Sequence, residues 1–298
     1  MSKEKLSAKG AEAIFGAALL YSFSAILVRG MGTMWTDAAQ VAVRALLTAT
    51  ILYVVYFFQK NKLKIPKDKL LESVTLGVSF ALVVLFFTLS IQKTTIANSM
   101  FTFYASTMIS SFLLGTFLLK EKVSMQKSIA IIVALIGLSV YTNALLVGSL
   151  GILFGILAGC CDGVSNVLRK RLRDVDRNAV VRMQYLVGAI FVGVLTLFAG
   201  EKPLKVVTTE GIFSTIAFSI LLIFAANLLL YGYKHFDVNM GSVISSTELV
   251  FATLLAYLFF KEIPSGTELF GGILIFAASI IAALDSKRFS IFKRPIHD

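Results

Sequence analysis

Of the charged side chains inside long apolar stretches of the 298-residue chain, three lie well away from the ends of their stretches. Glu248 is the deepest, about halfway along its stretch, and Asp162 and Arg44 lie in two others. A charge at the centre of a bilayer costs on the order of 2.5 to 3.5 kcal/mol on insertion scales, so it usually faces a bundle interior or a water-filled cavity. There a carboxylate can bind a proton or a cation, and an arginine can bind a carboxylate.

Glu248 shares one helical face with small and polar residues, Gly241, Ser245 and Ala252, at spacings of three, four and seven. Such a face suits close helix packing or a substrate path. Glu248 is therefore interpreted as a substrate-cation or proton site, in preference to the alternative of a structural hydrogen bond that locks two helices.

Asp162 lies on one face with Ser165, Asn166 and Arg169, at i+3, i+4 and i+7. A functional role and a helix-packing role both remain open for this face. Arg44 lies about a third of the way along its stretch. It could hold a substrate carboxylate, but a structural role, neutralising a buried acid or extending towards the interface, is favoured.

Ten apolar runs are long enough to position these residues across a membrane, since a spanning helix needs roughly 20 mainly apolar residues. We predict the following spans: Ala11–Val28, Ala38–Phe58, Leu70–Ile91, Ile96–Leu119, Ser128–Thr142, Ser149–Leu168, Ala179–Phe198, Gly211–Tyr231, Val238–Phe260 and Glu268–Leu284.

Composition agrees with a polytopic membrane protein and disfavours a nucleic-acid-binding one. Hydrophobic residues make up 57% of the chain and charged residues only 15%, against about 25% in soluble proteins. The net charge of +11 is distributed unevenly: 21 of the 28 basic residues fall on one side of the ten spans, 5 on the other and two within spans. By the positive-inside rule, both termini are predicted to be cytoplasmic.

The two halves of the chain resemble each other at an offset near 140 residues. Arg29 matches Arg169, Asn98 matches Asn239, and Lys120-Glu121 matches Lys261-Glu262. Because each half has five spans, an odd number, the second half must enter the membrane from the opposite face. Inverted repeats of this kind are typical of secondary transporters.

The repeat supplies partners for the candidate residues. The face that matches Glu248 lies in the fourth span and comprises Met100, Tyr104, Thr107 and Ser111, and Gln184 matches Arg44. The two matching faces are expected to enclose a cavity at the midplane. Tyr104 is the aromatic residue most plausibly lining it.

The chain resembles the drug/metabolite transporter superfamily in its EamA-like ten-helix form. The resemblance is carried by the two Lys-Glu loops after the fourth and ninth spans and by a small residue sixteen positions after each glutamate, Gly137 and Ala278. The family often has Glu-Pro in the ninth helix, where Leu249 here replaces the proline. The resemblance implies an all-α membrane protein of two inverted five-helix repeats, at residues 1–147 and 148–285, followed by a basic tail at 286–298. It also implies amino acids or other small metabolites as substrates, with export common.

The sequence therefore predicts a secondary transporter of the plasma or inner membrane that works by alternating access on a small zwitterionic or cationic amphipathic substrate. A proton is the candidate coupling ion; no cofactor, metal or nucleic-acid partner is expected. The predicted binding or coupling residues are Glu248, Asp162, Arg44, Tyr104, Thr107, Ser111, Ser245, Asn166 and Gln184. Two alternatives are an intramembrane enzyme and a channel-like facilitator. The first lacks HExxH and GxSxG motifs, and the second lacks a filter-like segment.

Overall fold

The computed structural model describes residues 3–58, 64–94, 96–142, 150–198, 203–261 and 263–291. Its helices confirm an all-α fold with ten candidate membrane spans. In chain order the helices are α1 Lys3–Ser22, α2 Ser24–Gly32, α3 Asp37–Phe57, α4 Leu70–Lys93, α5 Ile96–Leu119, α6 Met125–Thr142, α7 Leu150–Arg171, α8 Arg177–Phe198, α9 Thr209–His235, α10 Val238–Ser245, α11 Thr247–Phe260 and α12 Gly266–Ile291.

Large apolar side chains cover the outside of the bundle. Phe57, Leu197 and Phe198 are each more than four-fifths exposed, whereas Ile14 and Leu138 in the interior are fully buried. In water such an outer surface would be strongly unfavourable, but lipid solvates it at no cost. The fold therefore matches the apolar excess of the composition.

The two halves pack on each other through matching pairs of helix contacts, as an inverted repeat requires. Helix α7 packs on α4 and α5, and its equivalent, the α1–α2 pair, packs on α9 and on the α10–α11 pair. Two contacts join equivalent helices across the halves, α3 with α8 and α6 with α12. Gly137 and Ala278 are both buried, and Gly137 lies at the α6–α12 contact.

Two spans that the sequence predicts as continuous helices are broken in the middle. The first is interrupted at Phe23 and the ninth at Ser246. At each break a serine hydroxyl donates to the carbonyl three residues earlier: Ser22 to Leu19 O at 2.6 Å, and Ser246 to Val243 O at 2.7 Å. Such bonds compete with the regular helix pattern and bend the backbone.

The Lys-Glu loop has a structural role that its sequence alone does not reveal. Lys120 has a left-handed backbone conformation, φ 54°, which turns the chain sharply after α5. Glu121 then accepts hydrogen bonds from the backbone N–H groups of Val238 and Asn239, at 2.8 and 3.2 Å. A carboxylate at a helix N-terminus is favourable because the first N–H groups have no partner within the helix. Lys261 repeats the conformation with φ 59°, and Glu262 lies outside the described residues.

Domain boundaries at 147 and 285 stay predictions. Residues 286–291 of the predicted basic tail continue α12 as helix, and residues 292–298 lie outside the described part of the chain.

A glycine stripe on α7 allows close packing against α5. Gly155, Gly159 and Gly163 recur every fourth residue, and a methyl group on any of them would collide with a residue of α5. Small residues of this kind let membrane helices approach closely.

Replacing Gly159 with Ala is expected to destabilise the protein by about 1 to 3 kcal/mol, the usual cost of overpacking. The new Cβ would collide with the carbonyl oxygen of Phe103 and lie 2.8 Å from the backbone nitrogen of Thr107, neither of which can rotate away. Thermal unfolding of the detergent-purified protein measures the effect. Gly193→Ala is the control, because nothing lies within 4 Å of its Cβ position. Equal melting temperatures for the two variants would contradict the close packing.

Candidate functional site

A cavity of about 340 Å³ lies in the centre of the bundle, within the range of small-molecule sites. Three of its walls, the first half of α3, the second half of α4 and the first half of α5, lie towards one face of the bundle, which we call the open face. The face with the two termini is the basic face. Asp162, Asn166 and Arg169 line the cavity from the second half of α7, which lies towards the basic face. The cavity therefore extends from the depth of these α7 residues towards the open face.

Six of the nine predicted site residues line this cavity: Glu248, Asp162, Arg44, Tyr104, Ser245 and Asn166. The other three are buried beside it. Thr107 donates to Gly159 O at 3.4 Å, and Ser111 accepts from Asn166 at 3.3 Å, so both face α7. Gln184 is fully buried in α8 and also does not line the cavity.

Glu248 lies in the first turn of α11, directly after the break at Ser246. Its carboxylate interacts with the Tyr104 side chain across the cavity. Among the described residues, no basic side chain interacts with it; its other charged neighbour is Asp162. A buried carboxylate without a cationic partner is unfavourable, so it favours a proton or a cationic ligand.

Asp162, Asn166 and Arg169 form one connected polar network on α7. The Arg169 guanidinium donates to Asn166 Oδ1 at 2.5 Å and lies 3.6 Å from Asp162 Oδ1. The amide of Asn166 in turn approaches Asp162 Oδ2 at 3.4 Å. The Arg169 side chain is 2% exposed and that of Asp162 is 17% exposed. Asp162 is therefore neutralised within the protein, whereas Glu248 is not.

Arg44 lines the cavity from α3, and its guanidinium lies 4.7 Å from the ring centroid of Phe218. One form of the structural interpretation favoured from sequence, neutralisation of a buried acid, finds no partner among the described side chains, because no described acid forms an ion pair with Arg44 and the groups that act on it electrostatically are Tyr185 and Tyr21.

The burial of Arg169 goes beyond the sequence prediction. The predicted sixth span ends at Leu168, which leaves Arg169 on the cytoplasmic side, but α7 continues to Arg171 and buries it. Its place on one helical face with Asp162, at i+7, is the sequence signal that agrees with this burial. The aromatic residues of the lining carried no such signal, because phenylalanine and tyrosine are common throughout the chain. They are Tyr21, Phe80, Phe87, Phe103, Tyr185 and Phe218.

At the basic face, Glu121, Lys127, Lys170 and Asp237 form an ion cluster. Lys170 Nζ lies 3.2 Å from Glu121 and 3.5 Å from Asp237, and Lys127 Nζ lies 2.5 Å from Asp237. Lys127 was also expected in a loop, but its side chain is 3% exposed. The cluster joins α6 and α7 to the segments that precede α6 and α10.

Asp237 shows how strongly this cluster is coupled. Burial acts to raise the pKa of its carboxyl, but the ammonium groups of Lys170 and Lys127 outweigh burial and hold the pKa below its usual range. A depressed carboxyl pKa stabilises the fold above the unfolded value of about 3.9, and the stabilisation is lost as pH falls through the folded value.

Asp237→Asn is therefore expected to lower the melting temperature at pH 7, and the deficit should shrink as pH falls below about 4. Melting curves from pH 7 to pH 3 test this. Asp174→Asn is the control, because Asp174 pairs with Arg173 on the surface with its side chain 78% exposed. A deficit for Asp237→Asn that is equal at every pH would contradict the charge interaction.

Comparison with known proteins agrees with this architecture. A model of the EamA-like transporter family matches the chain twice, at residues 8–143 and 149–284. A protein of known crystal structure has the same fold, with a TM-score of 0.79 and 19% sequence identity over 94% of this chain and 98% of that chain. No curated protein matches the sequence.

Proposed function

Because the chain belongs to the EamA-like transporter family, we propose that it is a secondary active transporter of small zwitterionic or cationic amphipathic metabolites, with amino acids as the leading class. The observation that supports this most is Glu248, a buried carboxylate without a described basic partner, which lines a mainly apolar cavity that includes seven aromatic side chains. An ammonium group of the substrate would neutralise it, and the aromatic rings would pack against the apolar remainder.

Glu248 is also the candidate site of proton coupling. A carboxylate that binds either a proton or a substrate ammonium makes the two compete, because both neutralise the same charge. Such competition would couple substrate export to proton entry. Asp162 is a weaker candidate because Arg169 already neutralises it.

We assign the basic face to the cytoplasm of the plasma or inner membrane, with both termini on that side. The distribution of 21 basic residues against 5 supports this orientation. In it the cavity extends outwards and the ion cluster closes the cytoplasmic side, which is the arrangement from which an exporter would release its substrate.

Alternating access would require the ion cluster to open. By sequence, three of its four residues have no equivalent on the open face: Gly30 matches Lys170, Ile96 matches Asp237 and Glu268, of opposite charge, matches Lys127, whereas Glu262 matches Glu121. The first span breaks at Phe23 and the ninth at Ser246, and α1 contacts both α10 and α11, so the first and ninth spans are the candidate moving elements.

A thermal-shift screen of the purified protein against amino acids, amines, nucleosides and sugars tests the substrate class, because a ligand that binds the native state stabilises it by mass action. Amino acids or amphipathic amines are expected to raise the melting temperature, and Glu248→Gln should abolish the rise. Stabilisation by sugars alone would contradict the proposed class.

A further inference from the structure

Arg44 is a second charge in the cavity for which the described protein offers no counter-ion. Its side chain is 8% exposed and lines the cavity. Its guanidinium makes no hydrogen bond or ion pair to a described residue; it stacks on the Phe218 ring and interacts electrostatically with two tyrosines, Tyr21 and Tyr185. A buried guanidinium without an acid is costly unless a ligand supplies one.

The backbone of Arg44 is held firmly between two helices. Its carbonyl oxygen accepts from Thr48 Oγ1 at 2.7 Å within α3 and from Ser219 Oγ at 3.3 Å on α9. Thr48 also contacts Ser219 O at 3.2 Å, so two hydroxyls converge on this point. Stacking on Phe218 occupies one face of the guanidinium and leaves its N–H edges available. These donors suit a planar carboxylate, which arginine binds through two parallel hydrogen bonds.

Arg44 and Glu248 belong to different walls of the cavity, on α3 and α11. Tyr21 lines the same cavity and interacts electrostatically with both charged groups. One cavity thus presents a free anion at one wall and a free cation at another, among the described side chains.

We infer that Arg44 is a carboxylate-binding subsite and that the substrate is a zwitterion, held by its carboxylate at Arg44 and by its ammonium group at Glu248. This inference rests on the proposed function and deepens it. Of the two substrate classes proposed above, zwitterions and cations, it keeps the zwitterions and excludes simple amines. Phe218 is then a positioning residue that orients the guanidinium.

The test compares three kinds of ligand on the purified full-length protein: L-leucine, L-phenylalanine and L-methionine, their decarboxylated amines, and their N-acetyl derivatives. The wild type is expected to bind the amino acids about ten- to a hundred-fold more tightly than the amines, which is the usual worth of a hydrogen-bonded charge. Arg44→Gln should remove this preference by weakening amino-acid binding alone. Arg44→Lys should restore only part of it, since lysine lacks the planar fork.

Arg182→Gln is the matched control, because Arg182 also lies within a span but stacks on Tyr53 and Tyr56 outside the cavity lining. It should keep the full preference. If amines bind as tightly as amino acids, or if Arg44→Gln leaves amino-acid binding unchanged, the inference is overturned while transport of a cation at Glu248 stands. If none of these ligands binds and none is transported, the proposed function fails together with the inference.

Discussion

Replacing Glu248 with Gln is expected to reduce transport at least about ten-fold and to remove its dependence on pH, while the protein remains folded. Glutamine keeps the size and polarity of the side chain but has neither the charge that binds an ammonium group nor the proton that couples transport, and a charged hydrogen bond is worth roughly 1.5 to 3 kcal/mol. The measurement is substrate flux in proteoliposomes from pH 5.5 to pH 8.5, alongside the melting temperature of the same preparation.

Two further variants separate a role in transport from a general effect of losing an acid. Glu12→Gln removes an exposed carboxylate of α1 and should leave flux unchanged. Tyr104→Phe keeps the ring but removes the hydroxyl group that faces Glu248, so it should shift the pH profile without abolishing transport. Flux for Glu248→Gln equal to that of the wild type at every pH would remove Glu248 from the mechanism.

Breaking the ion pair between Asp162 and Arg169 is expected to produce the largest loss of stability. Removing one partner of a buried pair costs about 3 to 5 kcal/mol, because the remaining charge is left unpaired. Arg169→Met is expected to lose more stability than Asp162→Asn, because Arg169 contacts both Asp162 and Asn166. In Asp162→Asn, the guanidinium of Arg169 keeps its hydrogen bond to Asn166. Thermal unfolding in detergent measures both.

The double variant distinguishes charge from packing. If the two charges stabilise the protein as a pair, the double variant Asp162→Asn/Arg169→Met should lose less stability than the sum of the two single losses. Arg171→Met is the control on the same helix: its pair with Glu72, at 3.6 Å, is 48% exposed on the arginine side, so the loss should stay below about 1 kcal/mol. Strictly additive losses would show that the two side chains act independently.

The spans and the inverted repeat could be predicted from sequence, because both depend on properties that single residues report. Apolar runs mark the spans through the cost of unsatisfied backbone in lipid, and an odd number of spans in each half makes the inversion unavoidable. The depth of Glu248, Asp162 and Arg44 in their runs also indicates that they face the bundle interior, because a charge in lipid has few other locations, and all three line the cavity.

The remaining features depend on contacts between distant segments. Whether Ser22 and Ser246 break their helices depends on the rotamer that each hydroxyl adopts, and other serines such as Ser110 make similar bonds within an unbroken helix. The burial of Arg169 and Lys127 depends on partners in other turns or helices. Thr107 and Ser111 share a helical face with Tyr104, but α7 packs against them and covers them.

In the proposed mechanism, the cavity moves a substrate across the membrane by alternating access. Counterflow in proteoliposomes measures this most directly, using a labelled form of the compound that stabilises the protein most in the thermal-shift screen. Liposomes loaded with unlabelled compound should accumulate the label transiently and saturably, and Glu248→Gln should abolish the accumulation. Entry of the label that rises linearly with concentration and is indifferent to unlabelled compound inside would indicate a channel-like pathway and would contradict the account.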